Sequence, residues 1–170
     1  MFEGRVLGVD PGLARTGLAV LESRERRPAI VWTRTVLTPA DRPESQRLAA
    51  IGSAVRTAIA EHRPIEVAVE RVMFGSNKMS ALSVARATGV VMMVAAEAGL
   101  DVDEYVPAEV KSAVTGLGTA DKEQVHAALL RVHGLSDVPR QPDAADAVAV
   151  ALCHLTQTRL RRVAARAGVR

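Results

Sequence analysis

Hydrophobic and polar positions recur along this chain in blocks that each fit one period. Arg5 to Asp10 (RVLGVD) is a short apolar run closed by Pro11-Gly12, which predicts a strand ended by a turn. Thr16 to Leu21 (TGLAVL) and the β-branched Ile30 to Leu37 (IVWTRTVL) predict two more strands. Short connections between three successive strands predict an antiparallel meander. Glu44 to Glu61 carries Leu48, Ile51, Val55 and Ile59 at helical spacing. Ile65 to Glu70 (IEVAVE) alternates as a strand. Lys78 to Ala98 predicts a long helix whose second half, VVMMVAA, is apolar on all sides, which places it centrally or in a subunit interface. Val102 to Val106 predicts a fifth strand. Ala108 to Val114 and Lys122 to Val132 predict helices split by the turn GLGTAD, and Pro142 opens a last helix through AADAVAVALCHL.

A meander followed by β-α-β units predicts an α/β fold, a five-stranded mixed sheet flanked by helices. A right-handed crossover sets Ile65–Glu70 parallel to and beside the first strand. Ligands of such sheets bind outside the carboxyl ends of the strands, the ends that Asp10 and Glu70 occupy.

Composition narrows the picture. The 170 residues make about one domain, and 48% hydrophobic with 24% charged residues excludes a disordered chain. Only Phe2, Trp32, Phe74 and Tyr105 are aromatic, so Ala, Val and Leu must fill a tightly packed core. The single cysteine, Cys153, excludes an intrachain disulfide and a cysteine zinc cluster, and its apolar neighbours make it a buried small hydrophobe. No apolar run is expected to reach the ~18–20 residues of a membrane span, and the first residues carry no signal-peptide core, so a cytoplasmic protein is the expectation. The net charge is +3, but Thr156 to Arg170 holds five arginines and no acid. A globally basic surface is therefore not established. We expect a folded domain over 1–157 and a basic tail over 158–170, with disorder one expectation for that tail.

Four acids carry the candidate chemistry. Asp10 ends a strand in GVDPG, Glu70 ends another in VAVERV, and Asp143 and Asp146 lie three apart in PDAADA, on one face of a first helical turn. Each has a bland reading alone: Asp10 as a turn residue, Glu70 as a solvated strand end, Asp143 as a favourable charge at a helix N-terminus. Asp146 is harder to dismiss, because its face is otherwise apolar. An unpaired carboxylate in such surroundings is expensive, and a cation relieves the cost. Hard oxygen ligands without His or Cys point to Mg²⁺ or Mn²⁺ rather than zinc. Two such ions activate water and stabilise the leaving oxygen in phosphodiester cleavage.

VLGVDPGLARTGLAV, VAVERVMFGSNKMSALSVARATGVV, YVPAEVKSAVTGLGTADKEQV and QPDAADAVAVALCH, in this order over about residues 5–157, resemble the RuvC crossover-junction endodeoxyribonucleases. The resemblance implies an RNase H-like fold and a homodimer. It implies Mg²⁺-dependent cleavage of four-way (Holliday) DNA junctions, as a step of recombination and repair, with 5′-phosphate and 3′-hydroxyl ends. It assigns the catalytic and metal-binding acids to Asp10, Glu70, Asp143 and Asp146, with two Mg²⁺ ions per site and Mn²⁺ as a substitute. RuvA and RuvB branch-migration proteins are the implied partners. Some relatives place an aromatic wedge three residues after the catalytic Glu; here Met73 stands there and Phe74 follows, and either fits the role.

Lys111 and Lys122 match basic positions near the family's active site, and they are two of only three lysines in the chain. Asn77, Ser80 and Arg86 open the long helix and are candidate DNA contacts, although helix capping explains Asn77 equally well. His62, His126, His133 and His154 show no metal spacing and are assigned to surface or core. Three competitors remain: an actin-like kinase or ATPase, which needs a second glycine-rich loop the chain lacks; a related small RNase H-like nuclease; and a non-catalytic DNA-binding relative, against which the complete acid set argues.

Overall fold

The structure, a computed structural model, describes residues 4–24, 27–73 and 78–166. In chain order it contains β1 (Arg5–Asp10), β2 (Arg15–Arg24), β3 (Arg27–Leu37), α1 (Glu44–His62), β4 (Glu66–Glu70), α2 (Lys78–Glu97), β5 (Asp101–Tyr105), α3 (Pro107–Thr115), α4 (Lys122–Arg131) and α5 (Pro142–Arg166). The sheet order is β3-β2-β1-β4-β5. β1 is antiparallel to β2 and parallel to β4, and β4 is parallel to β5. The meander and the crossover are thus where the pattern of the sequence put them.

Strand alternation sorts the sheet into two chemically different faces. Leu7 and Val9, Leu18 and Val20, and Val67 and Val69 point to one side, where they pack with Ile51 and Val55 of α1 and Ala87, Val91 and Val94 of α2. The other side carries Val6, Ala19, Leu21 and Ala68, packed with Ala147, Val148, Val150 and Ala151 of α5. Gly8 lies in the middle of this second face, and a Cβ there would stand 2.3 Å from the Ala147 carbonyl oxygen. The small residues are therefore a groove in the sheet, and α5 lies in it. The scarcity of aromatic residues has its structural use here.

Some expectations need amendment. The β2–β3 hairpin is longer than Thr16–Leu21 and Ile30–Leu37, because its ladder continues through the polar pairs Glu22↔Ala29 and Ser23↔Pro28; backbone pairing does not require apolar side chains. Residue 157 falls inside α5, which runs on to Arg166 through the good helix formers of RLRRVAAR. The apolar stretch is also longer than expected: Met79–Glu97 has the length and mean hydropathy, 1.6, of a membrane span. Its Ala87, Val91, Val94 and Ala95 are nonetheless core residues against the sheet. Nor is its second half enclosed on every side, since Met93 is 49% exposed.

Candidate active site

β1 and β4 run side by side and end together, so Asp10 and Glu70 leave the sheet at the same edge and on the α5 face. The α5 face is reached through β2. Gly17 is the cross-strand partner of Asp10, and its missing side chain leaves room for the Asp143 main chain. That contact brings the first turn of α5 down onto the strand ends, with Asp143 and Asp146 on it.

The four carboxylates face one another. Asp10 is held protonated up to about 8, first by burial and then by the negative charges of Glu70, Asp146 and Asp143. A hydrogen bond joins its carboxyl to that of Glu70, raising Asp10 and lowering Glu70, so the shared proton rests on Asp10. Glu70 is itself raised, by burial and by Asp146, against the opposing pull of Lys122 and Lys111. Asp146 accepts a 2.7 Å ion pair from the Lys122 Nζ, and its charge raises that lysine in turn. Arg15 Nη1 lies 3.8 Å from Asp143 Oδ2.

Proton and cations here neutralise a cluster that has more negative charge than the site tolerates. Among the described residues, no three acidic, His or Cys side chains are drawn together as a finished metal cage. The donor set is nevertheless all hard oxygen, and its repulsion is the strain that a divalent ion removes. The residues fit Mg²⁺ or Mn²⁺.

Asp10 and Glu70 form part of the lining of a cleft of ≈ 440 Å³, whose walls include Met73, Ser80 and Pro107. Met73 is 61% exposed there. A second groove, of ≈ 380 Å³, starts at Lys122 and Asp146 and continues between α4 and α5 past His126, Arg131 and Arg140. Lys122 owes its place to a capping box, in which Asp121 accepts from the Gln124 N–H at 2.8 Å and Gln124 returns a bond to the Asp121 N–H. Lys111 on α3 is near enough to act on Glu70.

The candidate DNA contacts thus divide. Met73 and Ser80 are on the cleft, and Lys111 and Lys122 bear on the acids. Arg86 instead makes a 2.7 Å ion pair with Glu44 across α1 and α2. Phe74 and Asn77 lie outside the described residues. Two groups were missed by sequence reasoning. Arg15 becomes legible only once α5 is seated on β2. His154, assigned to surface or core, is buried, with hydrogen bonds to Tyr105 and Glu66.

Comparison with known proteins agrees with this geometry. The family model described as crossover junction endodeoxyribonuclease RuvC matches residues 6–154. A crossover junction endodeoxyribonuclease RuvC of Leifsonia xyli is 45% identical over 151 residues, covering 88% of this chain and 73% of that protein. Its counterpart in Mycobacterium ulcerans is 48% identical over 151 residues, covering 88% and 82%. Thermus thermophilus RuvC, solved in complex with a Holliday junction substrate, superposes with a TM-score of 0.85 at 34% identity, covering 92% of this chain and 96% of that one. The fold is RNase H-like, and nuclease chemistry in this family is metal-dependent. Four acids on matching strand ends and one helical turn, within a match that spans nearly the whole chain, lead to one assignment: this chain belongs to the RuvC family of crossover junction endodeoxyribonucleases.

Proposed function

We propose that the chain resolves four-way (Holliday) DNA junctions in recombination and repair by paired symmetric nicks, with Asp10, Glu70, Asp143 and Asp146 holding two Mg²⁺ ions that Mn²⁺ replaces. The observation that carries this reading is the convergence of four carboxylates from β1, β4 and α5, where burial and then mutual repulsion keep Asp10 protonated up to about 8. When bound, the ions supply charge stabilisation and an activated water for in-line attack on a phosphodiester.

The protein's own part is placement. The sheet fixes Asp10 and Glu70, and α5 fixes Asp143 and Asp146 opposite them. By analogy with RNase H-like sites, Asp10 would be shared by the two ions, with Glu70 and the Asp143/Asp146 pair completing the donor set. Lys122, paired with Asp146 but 75% exposed, would be available to a backbone phosphate once the charge of the acids is otherwise neutralised. Lys111 adds positive charge on the same side. Met73 is the described residue best placed to enter an unstacked base step at the junction centre. The expected products carry 5′-phosphate and 3′-hydroxyl ends.

Two matched cuts need two matched sites, which a two-fold homodimer supplies. The face of α2 turned away from the sheet supports such a pairing, since Met79, Leu82 and Met93 are exposed on it. RuvA and RuvB belong to the same reading as branch-migration partners, and so does a cytoplasmic location. The decisive experiment is cleavage of a synthetic mobile four-way junction compared with a linear duplex of the same sequence, with and without Mg²⁺. Selective, Mg²⁺-dependent nicking of the junction at symmetric positions is expected. Equal cutting of both substrates, or cutting that survives chelation, overturns the proposal.

A further inference from the structure

We propose that His154 and Tyr105 form a latch that sets the spacing between the two halves of the carboxylate cluster, and through that spacing its affinity for a divalent ion. This rests on the metal reading above and adds to it two positioning residues outside the site.

His154 is 1% exposed, and among the described residues no other His, Lys, Arg, Asp or Glu is so buried. Its sequence neighbours Val150, Ala151, Leu152 and Cys153 belong to the apolar core, yet the ring itself meets polar groups. Both ring nitrogens are engaged. Nε2 lies 2.8 Å from Glu66 Oε2 on β4, with Thr158 Oγ1 at 3.3 Å. Nδ1 lies 3.0 Å from the Tyr105 hydroxyl on β5, with Asp103 Oδ2 at 3.8 Å. An ionised Glu66 only accepts, so Nε2 carries its proton toward it; in the neutral ring Nδ1 accepts from Tyr105. The Tyr105 and His154 rings also meet edge to face, 5.8 Å between centroids.

The placement of these partners gives the network its consequence. Tyr105 is the register partner of Glu70, and its carbonyl oxygen accepts the Arg71 N–H at 2.8 Å, which fixes the chain as it leaves Glu70. His154 sits on the helix that carries Asp143 and Asp146, about two turns beyond Asp146 and three beyond Asp143. The latch therefore joins the helix bearing Asp143 and Asp146 to β4, which bears Glu70, and to β5 beside it. The neighbouring contacts of α5, Ala147 and Ala151 on Gly8, are close but apolar or non-directional in part, and they tolerate sliding along the helix axis. Hydrogen bonds to two adjacent strands do not. Repulsion between the strand-end acids and those of α5 pushes the helix outward, and the latch opposes that push through an imidazole that is itself buried, where directional bonds are strong.

The test measures ion binding without turnover. Metal-free wild type, Tyr105→Phe, His154→Leu and His154→Gln are titrated with Mn²⁺, and the bound ion is read by water-proton relaxation. Tyr105→Phe keeps the ring and removes one oxygen, so it reports even where His154→Leu fails to fold. We expect about three- to tenfold weaker Mn²⁺ binding for Tyr105→Phe and for folded His154→Leu, less than the ~10–100-fold of a partner bonded directly to a metal ligand, because the latch acts through the spacing of its two elements. Partial recovery is expected in His154→Gln, and junction affinity without metal is expected to stay within about twofold. Unchanged Mn²⁺ affinity in a folded Tyr105→Phe, whatever its melting temperature, overturns the latch and leaves the metal reading intact. A wild type that binds no Mn²⁺ overturns the metal reading, and the latch with it.

Discussion

The Cα of Gly17 lies against the main chain of Asp143, so closely that a Cβ there would stand 1.8 Å from the Asp143 carbonyl oxygen. Gly17 is also the cross-strand partner of Asp10. One missing methyl thus permits the close approach of a strand-end acid and a helix-borne acid that are 133 positions apart in the chain. The contact is steric on one side and electrostatic on the other, since it forces together groups that repel.

Gly17→Ala separates these effects. The added carbon must push the first turn of α5 off β2, and overpacking of this kind costs ~1–3 kcal/mol. Relief of repulsion among the acids offsets part of it. A modest fall in melting temperature with a fall in junction cleavage of at least about tenfold is expected, because a misplacement of about 1 Å is enough for such a loss. Thermal melts beside single-turnover cleavage provide the comparison. Full activity in this variant would mean that α5 docks independently of Gly17.

Asp10→Asn removes a ligand charge and keeps the shape. Cleavage should disappear, while junction binding, measured by gel shift without metal, should persist or tighten as repulsion toward phosphates falls. Wild-type cleavage by this variant would exclude the carboxylate mechanism.

The same residue makes stability and metal affinity depend on pH. Asp10 keeps its proton up to about 8 in the folded protein and to about 3.8 in the unfolded chain. Between those values the folded state holds the extra proton, so stability must fall as pH rises through that window and level off above it. Asp10→Asn should flatten this slope in metal-free protein, raising the melting temperature near pH 8 by roughly 2–4 °C per kcal/mol recovered. Because the ion displaces the proton, Mn²⁺ affinity should rise with pH up to about 8. Calorimetric titration in buffers of different ionisation heat would count the protons released. None released at pH 6 would contradict the assignment.

Lys122→Ala acts on the substrate side. Loss of a phosphate contact should weaken junction binding at all sequences and lower the slope of log K against log salt by about one. It also removes the cation beside Asp146, so metal affinity should rise rather than fall. An unchanged salt slope would leave Lys122 as a partner of Asp146 alone.

The sequence made the elements legible where one period dominates, as in Arg5–Asp10 and Glu44–His62, whose observed bounds differ by at most one residue from the pattern. It was less informative at Glu22–Arg24 and at the end of α5, where backbone pairing and helix propensity act without an apolar signal. The four acids were legible because three of them interrupt apolar runs, which is costly unless something collects them. His154 was not: its partners Tyr105 and Glu66 stand 49 and 88 residues away, and nothing in AVALCHL distinguishes a networked imidazole from a merely buried one. The pairing of Arg86 was not legible either, because its partner Glu44 stands 42 residues away on α1.

The α2 face supplies the last prediction. Val91, Val94 and Ala95 are buried against the sheet, while Leu82, Met93 and Ala96 face away from it and Met92 is half-buried. A strip of exposed apolar residues along one helix, in a chain with a net charge of only +3, is a surface that a second copy covers favourably by placing the same strip against it. Met93 is 49% exposed, so a charge there costs the isolated protomer little, but at a two-fold axis it would meet its own copy and repel it. Met93→Asp should therefore sediment as a monomer at micromolar concentration, where the wild type should show twice the chain mass. Its melting temperature should lose only what the interface contributed. Its Mn²⁺ binding should be retained, because all four acids come from one chain. Junctions should be bound weakly and nicked singly, since symmetric incision needs both sites held at a fixed separation. If the variant remains dimeric and cuts both strands together, the subunits meet elsewhere and the exposed strip on α2 has another use.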